Sequence, residues 1–280
     1  MEKRFPVVSH NCYMRATGEY RVALREHQLA AEYKPPLTLS GRQLRRSIPR
    51  CRKTLIILLP GFNSNGQEWS LFKEALQPMA RRVMAAQIDT ALGNEALTDS
   101  LYQWLEGENM LKKNIPLTLI GFSNGGLIGR RLLQKYGVMN VRRLIMIATP
   151  NWGTSLAVYG QWFMNHPGLQ DLKTGSAFIN TLNSGCEAAR AIPQHVITGS
   201  AARDVAGGFN DGVVWENSAT LGYSLPYVRV ETGEPVCVYP PNSAWHLNLT
   251  RRGWRPLFGP SNDKAWPVTL NYVRCFLTEY

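Results

Sequence analysis

A chain of 280 residues that is 44% hydrophobic and 18% charged can bury one large core, and it carries no repeat or low-complexity stretch. No apolar run reaches the roughly 18 residues that a membrane span needs, and MEKRFPVVSHNCYMRATGEYR at the start lacks the apolar centre of a signal peptide, so a cytoplasmic protein is expected. The net charge of +11 is uneven: residues 1–53 hold 12 Lys/Arg against 4 Asp/Glu, whereas the remainder is close to balanced.

This divides the chain into a basic N-terminal segment, 1–52, expected to pack on a larger domain, 53–280. The densest basic stretch, GRQLRRSIPRCRK, suits peripheral contact with an anionic membrane. It has no interleaved aromatics, so no nucleic acid is expected as partner. Cys12, Cys51, Cys186, Cys237 and Cys275 are scattered and form no C-x-x-C pair, so they read as reduced thiols, with no metal site and no cofactor.

KTLIILLPGF, residues 53–62, reads as a strand buried on both faces and ended by Pro-Gly. NSNGQEWSLFKEALQPM follows with Trp69, Phe72 and Leu76 at helical spacing and a stop near Pro78. RRVMAAQID is a second strand, and TDSLYQWLEGENMLKK a helix opened by a Thr98/Asp99 cap. IPLTLIGF is a third strand, LIGRRLLQKYG a helix closed by Gly137, and VRRLIMIATP a fourth strand. Strand and helix alternate in this way in a mostly parallel, doubly wound α/β sheet.

Ser123 stands in GFSNG, at the turn from the third strand into its helix, where a nucleophile elbow is built. That turn is sharp enough for side chains two residues to either side to collide, and Gly121 and Gly125 carry none. The helix start adds a positive dipole end and the Asn124 amide, aimed at an oxyanion.

A serine hydroxyl needs a base, and the base needs a carboxylate to hold its tautomer. On this layout the order is Ser, acid, His. His195 opens the strand QHVITG, too early to follow an acid, whereas His246 comes after the last strand candidate, so His246 is the expected base. Asp204 and Asp211 both follow that strand; Asp211, in FNDGVV with Gly212 permitting a tight turn, is favoured over Asp204. The second oxyanion donor is expected from the loop after the first strand, at the Phe62 amide.

LLPGF, GFSNGG, ATPNWGTSLA, DLKTGSAFINTLN, NDGVVWENSA and WHLNL occur in order over about residues 53–250, and with them the chain resembles an α/β-hydrolase of the lipase/esterase group. The resemblance implies Ser123, Asp211 and His246 as the triad and Phe62 and Asn124 as oxyanion amides. It departs at Pro60-Gly61, where such lipases usually carry His-Gly, which leaves open what supports the oxyanion loop.

After the fourth strand, residues 152–185 read as a lid-like helical insertion, with a helix ending over Asn165 to Gly168. Leu156, Tyr159, Trp162 and Phe163 share one helical face there and, with Trp152, are the expected substrate contacts. Such a face fits an acyl chain better than a small polar ester. The expected function is hydrolysis of carboxylic esters, of lipids or other acyl groups. A thioesterase or amidase with the same triad and a catalytically silent binding scaffold are the alternatives.

Overall fold

A computed structural model describes residues 53–111, 115–157, 166–184, 192–199, 202–203, 209–211, 213–222, 225, 227–230, 249–250 and 265–278. The N-terminal segment, the side chains of Tyr159, Trp162 and Phe163, and Asp204 and His246 lie outside the described residues.

Six strands form one parallel sheet: β1 (Leu55–Leu59), β2 (Arg82–Ala85), β3 (Leu117–Phe122), β4 (Val141–Ile147), β5 (Gln194–Gly199) and β8 (Tyr227–Val230), in the order β2-β1-β3-β4-β5-β8. A two-residue antiparallel pair, β6 (Ala202–Arg203) with β7 (Phe209–Asn210), stands apart from it. Every residue of β1, β3 and β5 is buried, as strands covered on both faces require; β1 is wholly apolar, whereas β3 carries Thr118 and β5 carries Gln194, His195 and Thr198.

The alternation within each strand divides two cores. Ile56, Leu58, Ile120, Ile145 and Ile197 face α1 (Ser70–Leu76) and α7 (Ala265–Thr278). Leu55, Ile57, Leu59, Leu119 and Leu144 face α2 (Asn94–Gly107) and α3 (Asn124–Tyr136). The expected doubly wound architecture is the one observed.

The expected stop near Pro78 is observed: α1 ends at Leu76, and a 3-10 turn over Gln77–Met79 holds the proline in its first residues, where no amide donor is needed. Two other boundaries differ from the sequence reading. Helix α2 begins at Asn94, four residues before the expected Thr98/Asp99 cap. Its first amide is taken by Asp171 Oδ2 at 2.7 Å, a carboxylate from a distant segment, while Thr98 donates its hydroxyl to the Asn94 carbonyl inside the helix. Finally, Pro167 and Gly168 open a helix, α4 (Pro167–Asp171), where the sequence reading had one ending. His166 Nδ1 caps it by accepting the Gly168 amide at 3.0 Å.

Beyond α4 lies α5 (Ala177–Ser184). Its Phe178, Ile179 and Leu182 join Leu172 and Ala157 in a small cluster over Leu127 of α3, with Phe62 packed against it. The described residues between 157 and 182 are therefore packed on α3.

Candidate active site

The sheet order reverses between β1 and its two neighbours: β2 lies on one side and β3 on the other. Connections leaving β1 and β3 at their carboxyl ends diverge, and a crevice opens between them. Ser123 ends β3 in that crevice. Its backbone is at φ 51°, ψ −120°, a conformation side-chain-bearing residues rarely hold, fixed by the Ser123 amide on the Ile147 carbonyl at 2.8 Å and the Gly126 amide on the Ser123 carbonyl at 3.1 Å.

The flanking glycines answer to contacts. A Cβ on Gly121 would stand 2.6 Å from the Gly125 carbonyl carbon, and one on Gly125 would stand 2.7 Å from the Pro60 carbonyl oxygen. Elbow and β1 loop therefore touch, and a Cβ on Gly61 would stand 3.6 Å from Ser123 Cβ. Phe62 and Ser123 both line a cavity of about 550 Å³. Asn124 follows at the first turn of α3. Its side chain donates to Asn94 Oδ1 at 2.8 Å, tying the residue after the serine to the start of α2.

The cavity has two unlike walls. One is the loop Gly61 to Glu68, bearing Asn63, Ser64, Asn65 and Gln67; the other is apolar, from Pro150, Leu156, Leu169, Leu172, Val213 and Val214. Leu156 is 43% exposed at its rim, the one large hydrophobic side chain so placed among the described residues. Asp211 is fully buried in the turn that carries Val213 and Val214, and Thr154 joins that turn to the insertion by donating to the Val213 carbonyl at 2.6 Å.

Trp152 is not part of the cavity lining. Its indole packs on Gly222, where φ of 64° and an indole carbon 3.1 Å from any Cβ both favour glycine. His195 is in β5, stacked on Phe276 with ring centroids 4.2 Å apart, and it too is absent from the lining.

Two residues in or beside the site were not anticipated from the sequence. Asn94 anchors Asn124, and Glu68 holds the β1 loop, its carboxylate accepting the Gly61 amide at 2.9 Å and the Ser64 hydroxyl. The only sequence signal for either was a polar residue at a helix start.

No protein-family model and no curated protein matches the sequence. Solved structures do, and with the sheet and crevice just described they give the class: the chain has an α/β-hydrolase fold. It is similar to the Bacillus licheniformis lipase BlEst2 in its propeptide form, with a TM-score of 0.57 and 18% identity over 82% of this chain and 51% of that one. It is also similar to the metagenomic carboxyl esterase MGS0156, with a TM-score of 0.55 and 13% identity over 92% of this chain and 99% of that one. Phospholipase PlaB from Legionella pneumophila matches with a TM-score of 0.49 and 18% identity over 59% of this chain; the chain covers 45% of PlaB, less than half its length.

Proposed function

We propose that this protein is a serine hydrolase of carboxylic esters with long acyl groups, lipids among them. The observation that carries the reading is Ser123, held in a strained turn at a helix N-terminus on the floor of a cavity with one apolar and one polar wall.

In this reading Ser123 Oγ attacks the ester carbonyl while His246 takes its proton, and Asp211 keeps the imidazole in the tautomer that can do so. The Phe62 and Asn124 amides receive the developing oxyanion, and the dipole of α3 favours it. His246 returns the proton to the leaving alcohol, and water then releases the acyl group from Ser123 by the same steps. The apolar wall suits the acyl chain; the polar loop is left for the alcohol side of the ester. His246 takes its part from chain order alone.

The test is covalent labelling with a fluorophosphonate together with hydrolysis of p-nitrophenyl esters of graded chain length. Wild-type protein should label once and hydrolyse the longer esters best, and Ser123→Ala should lose both activities. Labelling that survives in the alanine variant would place the nucleophile elsewhere.

A further inference from the structure

The departure at Pro60-Gly61 leaves the β1 loop without the support that a histidine would give, and Glu68 stands where a support is needed. It lies in the 3-10 turn Gln67–Trp69 that closes the loop, and it is 4% exposed. Its carboxylate turns back under the loop: Oε1 accepts the Gly61 amide at 2.9 Å and Oε2 accepts the Ser64 hydroxyl. Ser64 Oγ in turn accepts the Gly66 amide at 3.0 Å, and the Ser64 carbonyl accepts the Thr90 hydroxyl at 3.0 Å. One carboxylate thus ties Gly61 and Ser64 directly and, through the Ser64 hydroxyl, Gly66.

A carboxylate withdrawn from water is unfavourable unless its oxygens are hydrogen-bonded, and here each is bonded to the loop. Gly61 immediately precedes Phe62, and a Cβ placed on it would stand 3.1 Å from the Phe122 ring and 3.6 Å from Ser123 Cβ. Ties at Gly61 and Ser64, on either side of Phe62, together restrict the direction of the Phe62 amide. Placing a negative charge under a site where an oxyanion forms is electrostatically unfavourable, so geometry is the contribution this group can make.

We propose that Glu68 is the positioning residue of the oxyanion loop, acting through Gly61 and Ser64 to aim the Phe62 amide. This rests on the ester-hydrolase reading for what the loop does, but the tethering itself does not. Because a misplacement of about 1 Å at a reacting centre costs on the order of 100-fold in rate, Glu68→Ala should lower kcat about 10- to 100-fold with KM little changed. Glu68→Gln should recover most of that loss, since its amide oxygen still accepts from Gly61 and its NH2 group can donate to Ser64 Oγ. Ser64→Ala, which removes one tie of two, should fall between them.

The experiment measures kcat and KM for p-nitrophenyl butyrate, and amide hydrogen exchange of residues 60–66, in wild type and the three variants. Exchange should quicken in Glu68→Ala and return toward the wild-type rate in Glu68→Gln. A Glu68→Gln variant as impaired as Glu68→Ala would make Glu68 a proton carrier and overturn the proposal, as would wild-type kcat and exchange in Glu68→Ala. Should Glu68→Ala not fold, Ser64→Ala decides: unchanged kcat and exchange there overturn the proposal. Wild-type protein without esterase activity would sink the ester-hydrolase reading alone, and the exchange comparison would still decide whether Glu68 holds the loop.

Discussion

Asp211 Oδ1 accepts the amides of Val213 at 3.0 Å and Val214 at 2.7 Å, and the Asp211 amide donates to the Val214 carbonyl at 3.2 Å. The carboxylate is thereby locked in a buried turn, as the proposed role of orienting the His246 imidazole would require. Asp211→Asn should lower kcat by about 10³- to 10⁴-fold, because an amide can stabilise the wrong tautomer. Asp204→Asn should cost less than about tenfold, as a residue outside the proposed triad would. Steady-state rates on one p-nitrophenyl ester check this, and the reverse ranking would move the acid to Asp204. At this scale Ser123 and its glycines were legible because a collision with backbone fixes both residue type and spacing. Glu68 was not, since nothing in QEW distinguishes a carboxylate that turns back seven residues from one that faces water.

Strand β5 and helix α7 meet at His195. Burial, with the charge of Arg143 adding to it, lowers the His195 pKa from 6.5 to about 4, and its Nε2 has no partner among the described residues. The folded state therefore favours the neutral ring. Its stability is intact above pH 6.5 and declines as the pH falls toward 4, by at most about 3 kcal/mol. His195→Phe, which can keep the stack on Phe276, should flatten that decline; urea unfolding at pH 7.5 and 4.5 measures it, and an unchanged difference between the two pH values would refute the assignment. Strand β1 was readable because burial on both faces leaves an unbroken apolar run. The start of α2 was not, because its cap is Asp171, 77 residues further along the chain, while the Thr-Asp pair that looked like a cap serves other ends. Asp99 instead accepts from Lys135 and Tyr136 of α3.

For the molecule as a whole, the sheet order brings the loop of β1 and the turn of β3 to one mouth, and Leu156 stands exposed at its rim. Residues 1–53 carry a net charge of +8. Each Lys or Arg that reaches an acidic lipid surface contributes about 1 kcal/mol, screened within a Debye length. An apolar rim adds favourable burial at roughly 25 cal/mol per Å² once there. These features predict binding to anionic liposomes that weakens with salt, and hydrolysis of a long-chain ester that rises above its aggregation point. The double variant Trp162→Ala/Phe163→Ala should retain most short-ester activity and lose that rise. Equal binding to neutral and anionic liposomes, with no change of rate at aggregation, would leave a hydrolase of dispersed esters. Among the described residues no helix is long and apolar enough to cross a membrane.

The backbone at Ser123 has a consequence for how such a chain changes over generations. A residue with a side chain at φ 51°, ψ −120° gives up about 1–3 kcal/mol that glycine would not, out of about 5–15 kcal/mol holding a typical domain together. Mutations that improve folding alone would therefore accumulate at this codon and replace serine, so a lineage that stopped using the hydroxyl would be expected to lose it early. Stability engineering faces the same bias: a screen that rewards only a higher melting temperature will favour variants in which glycine has replaced Ser123.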